Sequence, residues 1–470
     1  MNKKDAVFAL ADYVVKLKYE DIPSEVVEVT KVDILDTLGV AIAASTTTPA
    51  CREMAELVKE MGGKEESTII AYGGKVPSYM AAFVNAALAH SLNYDDLYDA
   101  NGLHPGCIVF PSALAVAERA GKVSGKEFIT AHTLGIDVMG RLGRAVFPPI
   151  LLRDWVLYGW LPAQLLGYFG ATAVAGRLLG LNEDKMVSAF GLAYCQTAGN
   201  LEPLFGVGAD KGVYPSYPAQ AGVLSALMAQ RGVAGPRNSL EGRAGLFKVY
   251  FQGEYDPTPL TANLGKSFDG VNLGFYTFPC DGWTHAYITT TLQMVDEHDV
   301  QPQDVEAITV FVGPRGERLC EPLQIRRNPR NMTEAQFSLP FIVATAIVKG
   351  KPRINHFTND GIKDPEILQL SNKATWQSDP ECDKQYGTGV LPAKVEIKLR
   401  DGHVLHSEQK GFRYGNPRNP ITKGELVEKF RDCASYSEKP LPKDSVEKVI
   451  ELVDKLEEVD DVSQIIRLVS

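Results

Sequence analysis

AAFVNAALAHSLNYDD (residues 81–96) and FGATAVAGRLLGL (169–181) are apolar around nearly their whole circumference. That pattern belongs to helices buried inside a bundle, not to helices lying on its surface. Working outward, the chain from residue 5 to about 250 reads mostly as helix, its Ala-, Leu- and Val-rich stretches separated by glycine and proline. Pro23-Ser24-Glu25 opens one such helix, followed by Val29, Val32, Leu35 and Leu38 at helical spacing. The expected fold class is therefore mainly α, with a large all-helical domain.

The character changes near residues 255–275, where YDPTPL and SFDGVNLG carry turn formers. Beyond them VEAITVFVG (305–313) reads as a strand, and KVEIKL (394–399) and HVLH (403–406) flank an Asp401-Gly402 hairpin turn. A helical pattern, MTEAQFSLPFIVATAIVKG (332–350), lies between them, which makes this part a smaller α+β domain. Thr422 and Glu425 form a capping box, and residues 438–468 continue as amphipathic helix. The division predicted is a helical domain over 1–265, an α+β lid over 266–408, and a segment over 409–470 returning to the helical domain.

Composition narrows the function. The chain has 470 residues, 45% hydrophobic and 23% charged, enough apolar surface for a large core. A net charge of -10 argues against a general nucleic-acid binder, which needs a basic surface to displace counterions. No run of about 20 uncharged apolar residues suggests a membrane span, and the first twenty residues read as an amphipathic helix and not a signal peptide. A cytoplasmic location is expected. Seven scattered cysteines never form CxxC, and only His403 and His406 of the eight histidines are close together, so no metal site is expected. With no phosphate-cradling glycine loop either, the expected cofactor list is empty.

Three segments could carry chemistry. In HSLNYDDLYDANGLHPG (90–106) an apolar helix runs into Asn93, Asp95, Asp96 and Asp99 before a loop with His104. Adjacent carboxylates at the mouth of a buried helix are costly unless hydrated, paired or used. Asn93 and Asp96 would share a helical face with His104 folding back over it, an arrangement suited to proton transfer; a solvated helix end with a capping aspartate is the alternative. In GADKGVYPSYP (208–218), Lys211 and Tyr214 precede an apolar helix, and a lysine at a helix N-terminus is a candidate base or anion site. In FYTFPCDGWTH (275–285), aromatic and polar groups lie at the domain crossing, and His285 suits either a cleft or a satisfied core position. Arg315, Arg318, Arg326, Arg327 and Arg330 cluster near loops and could fork onto substrate carboxylates or make surface pairs.

Taken together, DILDTLGVAIAAS (33–45), NYDD and HPG (93–106), FGATAVAGRLLGL, Lys211 with AGVLSALMAQRG, SLEGRAGLF (239–247), FPCDGWTH (278–285), AQFSLPF (335–341) and GNPRNPIT (415–422) resemble the MmgE/PrpD family, in family order over nearly the whole chain. That family includes 2-methylcitrate dehydratases, cis-aconitate decarboxylases and iminodisuccinate epimerases. The resemblance implies a helical domain built from both chain ends, a lid between them, a homodimer, and a small carboxylate as substrate. Family members use an aspartate, two histidines, two lysines and a tyrosine. The resemblance puts Asn93 at the aspartate position, His104 and Lys211 at one histidine and one lysine, and Leu161, Tyr276 and Phe341 where the other histidine, lysine and tyrosine would stand.

These replacements imply a pocket less basic and more apolar, suited to a substrate less charged than a tricarboxylate. The expected catalytic set is His104, Lys211, Asp95 and Asp96. Asn93, Leu161, Tyr214, Tyr276, His285, Arg318 and Phe341 are the expected binding residues. The implied reaction is cofactor-independent dehydration of a small hydroxy acid, with Lys211 or His104 removing the α-proton. Epimerisation by the same residues, and a catalytically lapsed carboxylate-binding protein, are the alternatives.

Overall fold

The computed structural model describes residues 4–151, 159–202, 211–384, 388 and 390–470. Its architecture is mainly α. The first part is a bundle of α1 (Val7–Lys16), α2 (Ser24–Thr47), α3 (Pro49–Met61), α4 (Ser78–His90), α5 (Gly106–Ala120), α6 (Gly125–Leu151), α7 (Pro162–Leu178), α8 (Glu183–Tyr194) and α9 (Ser216–Gln230). Helix α2 starts after Pro23, as read from the sequence, and stops at Thr48, whose extended backbone precedes the Pro49 that opens α3. Helices α4 and α7 are buried along nearly their whole length, which is why neither shows a polar stripe. None of the described helices is long and apolar enough to cross a membrane.

Helix α4 ends earlier than its composition suggests. It stops at His90, and Asn93 takes a left-handed φ of 46°, a conformation that cannot continue a right-handed helix. The chain then runs extended as β3 (Asp96–Leu97), following the short hairpin of β1 (Ser67–Thr68) and β2 (Lys75–Val76). Strand β3 pairs antiparallel with β4 (Gly274–Phe275), Asp96 opposite Phe275 and Leu97 opposite Gly274. A bridge between Tyr98 and Leu103, turned at Gly102 with φ 65°, folds the loop back toward α5.

Beyond residue 276 the chain contributes a four-stranded sheet in the order β6 (Ala374–Ser378), β5 (Val305–Val312), β7 (Ala393–Leu399), β8 (Val404–Gln409). Strand β6 lies parallel to β5, and the others pair antiparallel. The turn at Asp401-Gly402 joins β7 to β8, with Gly402 at φ 95°. Against the sheet and its flank lie α10 (Thr284–His298) and α11 (Leu339–Lys349). The helical pattern at 332–350 is in fact broken: a short helix ends at Gln336, and Ser338 caps α11 by accepting from the Phe341 N–H.

Two apolar cores result. One runs from Ala6 to Tyr276, takes in Ile354 and resumes with Leu426 to Val469; the other gathers residues between Phe278 and Ile397. The change of core between Tyr276 and Phe278 falls at the FYTFPCDGWTH segment. In the last part of the chain, α12 (Lys423–Ala434) opens with the Thr422/Glu425 capping box and packs on α2, where a Cβ on Gly39 would meet the Phe430 ring at 3.0 Å. Helix α13 (Lys443–Asp454) follows, and its buried Val449 and Val453 join the first core.

Candidate active site

The end of α4, the loop over 91–105 and the 274–285 segment converge on a buried array of carboxylates and rings. His90, the last residue of α4, donates from Nδ1 to Asp95 Oδ2 at 2.8 Å. His104 Nδ1 lies 2.6 Å from the Asp96 carbonyl oxygen and 3.4 Å from the same Asp95 oxygen. A carbonyl can only accept, so the Nδ1 of His104 carries its proton and Nε2 is left as the basic nitrogen. The His90 and Asp95 side chains are wholly buried, whereas that of His104 keeps 9% of its exposure. Within this His–Asp–His array, His104 is therefore the member a substrate can meet.

Burial pushes the Asp95 carboxyl up, but the charges and hydrogen bonds of His90 and His104 outweigh it and hold Asp95 well below the usual carboxylate range. Its neighbour Asp96 is driven the other way. Burial, then the charges of Asp33 and Asp95, raise it well above that range despite the Gly106 N–H donating to its carboxylate. Two adjacent carboxyls with opposed protonation are the pattern found where acid and base roles are separated.

Gly106 is required where it stands: a Cβ there would lie 2.6 Å from Asp33 Oδ1, 2.8 Å from Thr37 Oγ1 and 2.9 Å from Asp96 Oδ1. Behind Asp96, Asp33 pairs with His132 Nε2 at 2.6 Å and Asp36 with Lys429 Nζ at 2.7 Å. Burial first, then Asp33 and Asp95, push Asp36 up to about 6 against the pull of Lys429.

Aromatic side chains wall the array. The Tyr214 ring sits 4.8 Å from that of His90, Tyr276 lies 5.7 Å from His104, and His285 lies 4.5 Å from Tyr276. Burial raises both tyrosine hydroxyls well above their usual range, so each stays a neutral O–H. Burial and the Arg413 charge lower His285 well below the ordinary histidine range, and its Nε2 faces the Cys280 carbonyl at 3.3 Å. The ligand-type atoms of His90, Asp95 and Cys107, and of Asp95, Asp96 and His104, lie within 4.8 Å of one another. Hydrogen bonds within the protein engage Asp95 Oδ2, His104 Nδ1 and the Asp96 carboxylate.

Other expected residues divide. Asn93 donates to Gln336 Oε1 at 3.3 Å, and Gln336 Nε2 donates to the Leu92 carbonyl at 2.7 Å, tying this loop to the second core. Arg318 pairs with Asp281 at 3.2 Å, and the Asp281 N–H donates to the Gln336 carbonyl, so Arg318 joins the same network. Arg327 and Arg330 are engaged elsewhere, by the Ala374 carbonyl and by Glu334. Leu161 is buried at the N-cap of α7. Phe341 packs in the second core, 6.3 Å from Phe357, where no ring contact links it to the histidines among the described residues. Lys211 opens a 3-10 turn, Lys211–Val213, whose Gly212 packs on Ser91; the Lys211 side chain lies outside the described residues. The shared helical face expected of Asn93 and Asp96 is not formed, because α4 ends at His90 and Asp96 lies in β3.

A model of the MmgE/PrpD N-terminal domain matches residues 9–258, and one of the C-terminal domain matches residues 278–458. The chain belongs to the MmgE/PrpD family. A cis-aconitate decarboxylase-like protein of Aspergillus oryzae is 27% identical to it, over 98% of this chain and 96% of that protein. Human cis-aconitate decarboxylase is 26% identical over 98% and 94%, and a 2-methylcitrate dehydratase of Salmonella typhi 22% over 90% and 88%.

Four residues of the candidate site were not expected from the sequence: His90, Gln336, Arg413 and Lys429. His90 carried a signal, since it directly precedes the acidic loop. Lys429 carried one too: it falls on the buried stripe of Leu426, Phe430 and Cys433 in α12, where a lysine is out of place unless paired. Asp99, grouped by sequence with Asp95 and Asp96, is instead held by Arg413 Nε at 2.7 Å and Nη2 at 3.0 Å.

Proposed function

We propose that this MmgE/PrpD member is a lyase for a small carboxylic acid, working by general acid–base proton transfer without a cofactor, with His104 as the base. The observation that carries this is the geometry of His104: Nδ1 fixed on a carbonyl, an ionised Asp95 at 3.4 Å, and residual exposure of the ring. In dehydration, His104 Nε2 takes the proton α to the carboxylate, the C=C bond forms, and the β-hydroxyl leaves with a proton as water. Asp95 stabilises the imidazolium formed in the first step, as an opposite charge at this distance does.

Asp95 and Asp96 are too enclosed to reach a leaving group, so both act through His104. The second proton-handling group is Lys211, whose turn abuts Ser91 beside the array. Asn93, Leu161, Tyr214, Tyr276, His285, Arg318 and Phe341 remain the proposed surroundings of the substrate, Tyr214 and Tyr276 supported by their ring contacts. The second core and its sheet, residues 266–408, are the proposed lid, and residues 1–265 with 409–470 the helical domain. A homodimer in the cytoplasm with no nucleic-acid partner completes the reading.

Decarboxylation is the second reading, favoured by the relatives named cis-aconitate decarboxylases, which match nearly the full chain. There a protonated His104 would deliver a proton to carbon as the C–C bond to the carboxylate breaks and carbon dioxide leaves. Incubation with cis-aconitate, 2-methylcitrate and smaller hydroxy acids in deuterated water, followed by NMR, separates the readings. Water loss without carbon dioxide supports dehydration, and deuterium in a decarboxylated product supports the alternative. Exchange at the α-carbon with no alkene marks an epimerase, and binding without turnover overturns the lyase assignment.

A further inference from the structure

The loop carrying Asp95 and His104 meets the segment carrying Tyr276 through a ladder only two residue pairs long, Asp96 with Phe275 and Leu97 with Gly274. Such a short ladder contributes little rigidity of its own. Two buried cations from the C-terminal part of the chain straddle it. Arg413, just before the Gly415 turn, binds Asp99 with Nε and Nη2 and donates from Nη1 to the Phe275 carbonyl at 3.1 Å. Lys429, on α12, donates to the Tyr94 carbonyl, donates to the Tyr276 carbonyl at 2.9 Å, and pairs with Asp36 at 2.7 Å. The ammonium thus donates to two carbonyls and lies against a carboxylate.

We propose that Lys429 is a positioning residue: its one ammonium fixes the Tyr94–Asp95 peptide relative to Tyr276 and so sets the spacing of Asp95, His104 and the Tyr276 ring. The inference rests on the reading of His104 as the proton-transfer group. Stability alone is a poor reason for this lysine. A buried ion pair is often no better for stability than apolar side chains of the same volume, and α12 presents Leu426, Phe430 and Cys433 on the same buried face. What an apolar residue could not do is hold two carbonyls and a carboxylate from three separate segments on one atom. Arg413 backs it from the other side, its guanidinium 5.0 Å over the Tyr276 ring and its Nη1 on the carbonyl preceding that residue.

The test compares three variants of the full chain with wild type: Lys429→Met, Lys429→Met combined with Asp36→Asn, and Lys429→Arg. The double variant removes the carboxylate that the single variant would leave uncompensated, and so separates positioning from folding. Turnover is measured on cis-aconitate and 2-methylcitrate, and the histidine ring protons are titrated by NMR, a readout that needs no substrate. The expected result is a folded double variant with kcat lowered about 10- to 100-fold, KM within about twofold, and altered histidine titration, with partial recovery in Lys429→Arg. A folded double variant with wild-type kcat and wild-type histidine titration overturns the proposal. So does a double variant that fails to fold, because Lys429 would then be a stability residue. If wild type turns over neither acid, the lyase reading is what suffers, and the histidine titration alone decides the role of Lys429.

Discussion

Replacing Asp95 with asparagine removes the charge that backs His104 while keeping shape and one acceptor oxygen. The magnitude follows from the 3.4 Å separation of Asp95 Oδ2 and His104 Nδ1. A unit charge pair at that distance interacts by about 5 kcal/mol at an effective dielectric constant of 20. The ground state, with neutral imidazole, already keeps its hydrogen bond to the Asp96 carbonyl. Allowing for this and for reorganisation, about half of the interaction, roughly 2–3 kcal/mol, is lost from the transition state, which corresponds to about 10²-fold in rate. Steady-state kinetics of Asp95→Asn across pH 5–9 is the assay. The expected outcome is kcat/KM down about 10²-fold. A variant with wild-type kcat/KM would contradict this.

Further predictions concern the groups around that pair. His90→Gln withdraws the 2.8 Å donor from Asp95 and is expected to lower kcat about tenfold with little change in KM, because His90 acts through Asp95; an unchanged kcat contradicts this. Gly106→Ala forces a methyl against three oxygens within 2.9 Å, and overpacking of this kind costs about 1–3 kcal/mol, read as a lower urea midpoint. Asp36, raised to about 6 in the folded chain from an ordinary 3.8, binds more protons folded than unfolded between those values. Its contribution to stability therefore falls by about 3 kcal/mol as pH rises through that window. In Asp36→Asn the slope of urea midpoint against pH between 4 and 6 should flatten. Phe341→Tyr would add a hydroxyl to a wholly buried ring, at a cost of about 1–3 kcal/mol, checked by thermal melting.

Much of the architecture was legible because burial writes itself into composition. Helices α4 and α7 are apolar all round since they are packed all round, and the alternation of Val395, Ile397 and Leu399 marks the inward face of β7. The end of α4 was not legible: neither proline nor glycine punctuates residues 91–96, and it is the left-handed Asn93 and the pairing of Asp96 with Phe275, made across a long separation, that terminate it. The candidate site was half legible. His104, Asp95 and Asp96 stand out as polar groups at the mouth of an apolar stretch, and Tyr276 and His285 as aromatic groups at the crossing. Lys429 and Gln336 come from segments more than 200 residues away from that loop, so nothing local in sequence connects them to it. Asp99, close to Asp95 and Asp96 in sequence, is held instead by Arg413, which lies far along the chain.

In the proposed reaction His104 moves a proton at carbon, supported by Asp95. The most direct measurement is single-turnover NMR in deuterated water with the acid that wild type converts, comparing wild type with His104→Gln. Wild type is expected to exchange or transfer deuterium at the carbon beside the carboxylate, and His104→Gln, folded and still binding the acid, to do so at least about 10²-fold more slowly. Equal deuterium transfer by both proteins would contradict it.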